Sequence, residues 1–306
     1  MVQGRQRPFF YAIMTGYKRN AMDVTALRER TFALCRKKGI TNQEVAKTIT
    51  AFLVMYATEY NTDPSVTLSL MEDDNNLTDI SVLDSNFKKD LSELISKKLK
   101  DDVIFPKLFP IITNMTTRSI GVGEYALCFI LANYKHSYGD GDGEHPKGST
   151  EVKKDNSSLK VIESTATKKG LVDDLSKEIF GGTRFGAKKE KDFDAHIAEV
   201  NDAKKQYTEF FTRLYPGVDV SKLAEDIATN YKDSKKVCNI IGKFALKRYK
   251  LIDGWYNIIY INPKTMKVIN ISNVDDVDNL GLKFSPKFFR GGSTQAVADG
   301  HVDVKF

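Results

Sequence analysis

The chain is poor in the residues that build several common kinds of site. Its 306 residues include three cysteines, Cys35, Cys128 and Cys238, with no C-x-x-C pair. Their wide spacing argues against a zinc ribbon or a disulfide framework. Each lies among apolar neighbours, so we expect three small core residues in a reducing compartment. The four histidines include no pair at the i,i+4 spacing of a helical metal site.

Long apolar runs are also lacking. The longest, Ala126 to Ala132, is less than half of the ~20 residues that a membrane span requires. The polar and basic N-terminal segment is not followed by an apolar region of signal-peptide type, so we expect an intracellular protein without membrane association. Hydrophobic residues at 41% and aromatic residues at 10% suffice for a packed core and exclude a disordered chain.

The net charge of +6 makes the chain mildly basic. This excess permits contact with nucleic acid or with an acidic protein surface, but requires neither. Positive and negative residues are mixed along the chain and form no charged tail, as on an ordinary solvated surface.

The apolar spacing predicts an α+β (mixed α/β) fold, with a helical N-terminal part, a small mixed sheet with flanking helices and a C-terminal hairpin. Predicted helices run from the Asp23 cap to Lys38, from the capping box Thr41–Glu44 to Ala57, from Ser85 through Ile95, from Gly121 to Tyr134, from Lys189 to Leu214, from Ser221 to Tyr231 and from Ser234 to Tyr249. The predicted hairpin pairs residues 255–261 with residues 266–271, and further strands are predicted at Leu282–Phe289 and Val302–Phe306.

The stretch Ser137 to Ser158 reads SYGDGDGEHPKGSTEVKKDNSS and has almost no apolar residues. Its glycines and mixed charges predict a long loop or insertion. The following segment, Leu159 to Thr167, has the composition of a strand. Within the loop, Gly139 to Gly143 lacks the Gly-Lys-Ser/Thr ending of a phosphate loop and the twelve-residue pattern of a calcium-binding EF-hand, which favours a plain surface turn.

One ordered set of residues suggests chemistry. Gly121-Val122-Gly123-Glu124 opens a predicted helix, Asp140 and Asp142 follow, and a strand carrying a carboxylate comes next. This order resembles the PD-(D/E)XK nuclease-like superfamily over roughly Arg118 to Gly170, about a sixth of the chain. The predicted organisation is a helical N-terminal region, residues 1–118, followed by the α/β nuclease-like core that the resemblance implies, residues 119–306 with the hairpin and tail. The alternative is one continuous domain.

The resemblance implies a metal site. An acidic residue on a helix, an Asp at a strand start and a Glu-x-Lys on the next strand would hold a divalent cation, and the lysine would orient the attacking water. Glu151-Val152-Lys153 has the required residues, but its flanks lack apolar alternation and predict a loop. Glu163 lies in a predicted strand, but Thr165 stands where the lysine belongs. Each candidate lacks one requirement, so the sequence predicts a degenerate site on a nuclease-like fold. The alternative is an unrelated fold on which the match is accidental.

The first functional expectation is a structural or assembly protein of a bacteriophage particle, in its tail, baseplate or neck. The Gly-x-Gly-Glu helix start recurs among phage-encoded proteins similar to this superfamily, and a terminal strand such as Val302–Phe306 can pair with another chain. This role implies other virion proteins as partners in an oligomeric assembly, no cofactor, and a location in the host cytoplasm and then the virion.

The alternative is a Mg²⁺-dependent DNA endonuclease. Its metal ligands would be Glu124, Asp142 and Glu163, with Asp140 and Glu151 as alternatives for the Asp and the Glu, and Lys153 would orient water. DNA contact is part of this alternative. The flexible basic segment from Gly181 to Lys191 would touch phosphates or an acidic partner, or serve as a solvated linker.

Overall fold

The computed structural model describes residues 23–116, 120–139, 141–155, 157–160, 202–230, 232–287 and 301–305, with Leu175, Glu178 and Ile179. The chain divides into two compact units, one formed by Met1–Lys154 with Tyr256–Asn270, the other by Asp155–Trp255 with Ile271–Phe306. The predicted N-terminal helices and the strands of the candidate motif therefore share the first unit. The fold is α+β, as the sequence predicts.

The helices begin and end at residues whose side chains and backbone suit those positions. Their bounds are α1 Val24–Lys37, α2 Gln43–Tyr60, α3 Pro64–Glu72, α4 Lys97–Asp101, α5 Phe105–Asn114, α6 Glu124–Ile130, α7 Ala203–Leu214, α8 Ser221–Asn230 and α9 Ser234–Ile252. Asp23 caps α1 by accepting a hydrogen bond from the Ala26 N–H at 3.0 Å. The cap of α2 is Asn42, one residue after the predicted Thr41. None of the described helices combines the length and hydropathy needed to cross a bilayer.

The strands form one sheet in each unit. Their bounds are β1 Phe87–Asp90, β2 Lys135–His136, β3 Gly143–His145, β4 Gly148–Lys154, β5 Ser158–Lys160, β6 Asn257–Asn262, β7 Lys267–Ile271, β8 Lys283–Lys287 and β9 His301–Lys305. In the first unit the order is β1-β7-β6-β4-β3-β2. Strands β2, β3 and β4 form an antiparallel meander, whereas β4 runs parallel to β6. A parallel pair needs a long crossover, and here the chain between β4 and β6 supplies most of the second unit.

The core of the first unit lies between α1–α6 and one face of the sheet. The sheet contributes Val152, Ile259, Ile261 and Val268, all buried. The helices contribute buried apolar side chains, including Phe105, Leu108 and Ile112 of α5. All seven residues of α6 are buried, and one of them is the carboxylate Glu124. Burial of apolar area on this scale is the main stabilising term of the unit. Cys35 and Cys128 are buried, as predicted, and Cys238 is half-buried.

A buried polar ladder crosses the sheet. The Thr150 hydroxyl donates to Asn257 Oδ1 at 2.7 Å, and the Asn257 amide donates to Asn270 Oδ1 at 2.7 Å. The Asn270 amide then donates to the carbonyls of Leu83 and Ser85, both at 2.8 Å. A slip of one residue would turn every side chain of β4 to the other face and leave these groups unpaired. The ladder therefore selects the register in which β4 lies beside β6.

The second unit contains α7, α8 and α9 and a sheet of order β5-β9-β8. Strand β9 lies in the middle and pairs antiparallel with β5 and with β8. The expectation of an exposed terminal strand is therefore wrong, because both edges of β9 are occupied within the chain. Of the predicted helix from Lys189 to Leu214, Ala203–Leu214 is helical and residues 189–201 lie outside the described part.

Two sequence predictions in the first unit are wrong. The stretch Ser137 to Ser158 is not a loop, because it contains β3 and β4. The helix predicted from Ser85 is instead strand β1 followed by a 3₁₀ turn at Leu91–Leu94. Residues 87–90 form a strand and not a helix because they pair with β7, where Phe87 lies opposite Asn270 in the antiparallel ladder.

Candidate active site

The glycines before Glu124 place this carboxylate at the start of α6. Gly123 has φ 86°, a left-handed conformation that favours glycine, and Glu124 is the first helical residue. The Glu124 side chain turns back and accepts a hydrogen bond from the Gly121 N–H. Glu124 is 4% exposed. The Gly-Val-Gly-Glu sequence thus holds a buried carboxylate at a helix start.

The same glycines allow a close approach to strand β6. A methyl group at position 123 would overlap the Ile261 side chain. A methyl group at position 121 would lie 2.8 Å from Glu124 Oε1. Glycine is therefore required at position 123 both by the backbone conformation and by packing on the sheet.

Gly123→Ala is expected to destabilise the protein by about 2–4 kcal/mol, because the left-handed backbone and the overlap with Ile261 both oppose it. Gly254→Ala is the matched control, since Gly254 has φ 70° and open space around it. Urea unfolding of both variants separates the two terms. Equal losses of unfolding free energy in the two variants would contradict close packing at Gly123.

Asp142 lies where two strands of the meander separate. The last pair of β3 and β4 at this end is Gly143 with Thr150, so Asp142 and Glu151 are the next residues in register. The Asp142 N–H donates to the Thr150 carbonyl at 2.9 Å. Asp142 Oδ2 accepts from the Val152 N–H at 2.8 Å. The Asp142 carboxylate thus accepts from the N–H of Val152, a β4 residue that lies beyond the end of the pairing with β3.

His136 holds the backbone of Asp142 from the other side. Its Nδ1 lies 2.8 Å from the Asp142 carbonyl oxygen. Because a carbonyl only accepts, Nδ1 carries the proton in this contact. Burial lowers the pKa of the His136 imidazole, so it is neutral at pH 7. The position of Asp142 is therefore fixed by both neighbouring strands.

Glu151 and Lys153 project from the same face of β4, because residues two apart on a strand point the same way. They form an ion pair in which 8% of the Glu151 side chain and 26% of the Lys153 side chain are exposed. Glu151 and Lys153 lie opposite Ile258 and Tyr260 of β6. The prediction that Glu151-Val152-Lys153 lies in a loop is wrong, and the Glu-x-Lys pair stands in the interior of the sheet.

The site concentrates negative charge out of water. Burial and then the charges of Asp142 and Glu151 raise the pKa of Glu124 to about 7, against the opposing effects of the Gly121 N–H and Lys153. Burial, followed by the charge of Glu151, raises the pKa of Asp142 to about 6. Like charges in a low-dielectric setting oppose ionisation, which accounts for both directions. Asp142, Glu151 and Lys153 therefore belong to the electrostatic surroundings of Glu124.

The donor chemistry suits a hard divalent cation, since carboxylate oxygens are the ligands that Mg²⁺ prefers. Among the described residues, no group of three or more His, Cys, Asp or Glu side chains converges on one metal position. Each acidic side chain instead contacts an N–H group of the protein. Glu124 accepts from the Gly121 N–H, Asp142 accepts from the Val152 N–H, and Glu151 pairs with the Lys153 ammonium. Joint coordination of a cation requires these side chains to turn from their present partners.

Comparison of the chain with family models, with curated proteins and with solved structures returns no match. The chemistry of the site therefore rests on its own residues.

The structure brings together Glu124, Asp142, Glu151 and Lys153 from the sequence-predicted set. Asp140 and Glu163 lie outside the described residues, as does the basic segment from Gly181 to Lys191. Sequence reasoning missed His136, whose contact with the Asp142 carbonyl comes from the pairing of β2 with β3. His136 has no local sequence signal, because this contact depends on the pairing of the two strands.

Proposed function

We propose that the chain is a divalent-metal-dependent nuclease that hydrolyses phosphodiester bonds of DNA. The observation that carries the proposal is the grouping of four charged residues. Asp142 lies opposite Glu151 in register, Lys153 forms an ion pair with Glu151, and the charges of Asp142 and Glu151 act on Glu124 at the start of α6. Their order along the chain is the order that the PD-(D/E)XK resemblance implies. The net charge of +6 is compatible with a polyanionic substrate.

Glu124, Asp142 and Glu151 would hold the cation. Burial, and after it neighbouring negative charge, raises the pKa values of Glu124 and Asp142, and a bound cation would oppose both effects. When bound, the cation would lower the pKa of a coordinated water and neutralise charge on the phosphate oxygens. The carboxylates have protein partners without it, so the folded site does not depend on the cation for its placement.

Lys153 supplies the positive group of the site. Its ammonium is paired with Glu151 and remains partly exposed to solvent. In this position it would orient a water molecule or stabilise negative charge that develops on a phosphate. The Glu151 carboxylate directs the ammonium, and strand geometry keeps both on one face of β4.

Asp142→Asn is expected to lower the rate of DNA cleavage at least ~100-fold, because it removes a charge that acts directly on the reacting groups. The amide oxygen still accepts from the Val152 N–H, so the turn remains in place. Plasmid and linear DNA incubated with Mg²⁺ or Mn²⁺ provide the measurement. Glu144→Gln is the matched control, since Glu144 is exposed and two residues away on β3.

Wild-type protein that is folded yet cuts neither substrate with either cation would contradict the proposal. Cleavage of RNA alone would support metal-dependent phosphodiester hydrolysis, with RNA and not DNA as the substrate. The role in a phage particle stays a prediction. The internal pairing of β9 removes one of the features that motivated it.

A further inference from the structure

The three-stranded sheet of the second unit has one covered face and one open face. Phe284 of β8 is 9% exposed and Val304 of β9 is 0% exposed. A methyl group at Gly242 of α9 would overlap the Phe284 side chain, so α9 lies directly against this face. Lys283 and Lys305, the adjacent residues of the same strands, are exposed. Because successive residues of a strand point to opposite faces, both lysines lie on the open face.

Lys283 and Lys305 stand directly opposite each other in the antiparallel ladder. The Cβ atoms of such a pair are about 5 Å apart, and like charges at these positions destabilise a sheet. Lysines of α8 and α9 pair with aspartates, for example Lys243 with Asp278 at 2.6 Å. Lys283 and Lys305 have no acidic partner among the described residues. Their two positive charges therefore repel each other without compensation from that part of the chain.

The backbone register extends the positive charge across the open face. Residues two apart on a strand, and residues opposite each other on paired strands, share a face. Lys287 of β8 and Lys160 of β5 both lie opposite His301 of β9, which places the three in one row on the open face. Asp303 belongs to the row between them and the lysine pair. The register thus assigns four lysines and one aspartate to this face.

Protection of the sheet edge does not account for the lysine pair. A lysine on an edge strand deters pairing with other chains, and β8 is an edge strand of this sheet. Lys305 lies on β9, whose two edges are occupied within the chain. A second positive charge opposite Lys283 adds repulsion and no further protection. An anion bound to both ammonium groups would relieve that repulsion.

We propose that the open face of this sheet binds the phosphate backbone of duplex DNA, with Lys283 and Lys305 as contacts. The inference rests on the proposed function, which requires a DNA substrate, and it assigns a contact surface to that substrate. Lysines that neutralise phosphates release the counterions of DNA, which drives binding. Since contacts to phosphate carry no base information, binding through this face is independent of DNA sequence.

The composition of the open face favours DNA over a protein partner. The positions that the register assigns to it in β5, β8 and β9 hold lysine, serine, histidine and aspartate, and none of these described positions holds an apolar residue. The buried centre of a protein interface is depleted in charged residues and enriched in aromatic ones. A face that carries mainly lysine is instead complementary to a polyanion.

The test measures DNA binding in EDTA, where a metal-dependent nuclease does not cut. Fluorescence anisotropy of a labelled duplex over a series of salt concentrations compares wild type with the double variant Lys283→Thr/Lys305→Thr. Threonine suits a strand and removes the charge. Affinity at low salt is expected to fall about 10-fold, and the slope of log affinity against log salt concentration to shrink by about 2. Two duplexes of unrelated sequence are expected to show the same losses.

Lys204→Ala/Lys205→Ala is the matched control, because it removes the same charge from exposed positions of α7 in the same unit. Neighbouring residues of a helix do not face each other, so these two lysines are not juxtaposed. This variant is expected to bind DNA as the wild type does. The Tm of Lys283→Thr/Lys305→Thr without DNA is expected to equal or exceed that of wild type, because the substitution removes a repulsion.

Four results would overturn the inference. They are equal losses of affinity in the two double variants, wild-type affinity and salt slope in Lys283→Thr/Lys305→Thr, a Tm of that variant clearly below wild type, and wild-type protein that binds no duplex. Failure of the proposed function is distinguishable. Wild type that binds DNA through these lysines and cuts it with neither Mg²⁺ nor Mn²⁺ keeps the binding surface and removes the nuclease activity.

Discussion

Glu124→Gln is expected to stabilise the metal-free protein at pH 8 and to abolish metal-dependent cleavage. Folding places this carboxylate where burial and neighbouring charge raise its pKa from 4.5 to about 7. At pH 8 the folded state must hold an ionised group that its surroundings oppose. The neutral amide removes that opposition and still accepts from the Gly121 N–H. The expected gain in unfolding free energy is about 1–3 kcal/mol.

The pH dependence has a definite sign. A carboxyl whose folded pKa lies above its unfolded pKa takes up a proton in the folded state first as the pH falls. The wild type therefore gains stability between pH 8 and about pH 4.5, through the folded value of about 7. The advantage of Glu124→Gln is expected to shrink over the same window and to vanish near its lower end.

Urea unfolding at pH 8, 7, 6 and 5 measures this difference, with Glu144→Gln as the exposed control. Addition of Mn²⁺ is expected to stabilise the wild type and not Glu124→Gln, because only the wild type retains the ligand. A Glu124→Gln variant less stable than wild type at pH 8 would show that the charged form is favoured by folding. That outcome would contradict the proposed crowding of carboxylates.

Asn257→Leu is expected to have the largest effect on stability, about 3–5 kcal/mol, because it breaks a fully buried polar ladder. The substitution leaves the Thr150 hydroxyl and Asn270 Oδ1 without their partners at 2.7 Å. Asn257 and Asn270 are both 0% exposed, so water does not replace the lost bonds. Loss of the ladder also loosens β4, which carries Glu151 and Lys153.

Thr150→Val provides the comparison, since it removes the end of the ladder and keeps the shape of the side chain. It is expected to cost about 1–2 kcal/mol, less than Asn257→Leu. The double variant is expected to lose less than the sum of the two single variants, because each substitution removes a group that the other would leave unpaired. Additive losses in urea unfolding would show that the two side chains do not act through one another.

The sequence predicted the residues of the site better than their placement. Glu124, Asp142, Glu151 and Lys153 were all named as candidates, and the predicted helix start at Gly121 lies three residues before the first helical residue, Glu124. Strand β4 was mistaken for a loop because its centre carries Thr150 and Glu151, which are buried although they are polar. A strand that bears a charged site and a hydrogen-bonded ladder lacks the apolar alternation by which strands are recognised.

The segment around Phe87 illustrates a second limit. Phe87, Leu91, Leu94 and Ile95 have the spacing of a helical face, yet Phe87–Asp90 is a strand. The Leu91 N–H donates to the Met266 carbonyl at 2.6 Å, a partner 175 residues away in the chain. Short apolar patterns suit either structure, and a distant strand decides between them.

Local chemistry alone determined the α+β class, both ends of α1 and α8 and the identity of the acidic and basic candidates, because caps, glycines and helical periodicity act within a few residues. Helices α3, α4 and α5 were not predicted. Only the tertiary structure decided that β4 runs parallel to β6 and that β9 is paired on both edges. It also decided that Glu151 lies opposite Asp142, just beyond the last pair of β3 and β4. These are contacts between distant parts of the chain, and their free energy comes from burial and pairing that no local segment contains.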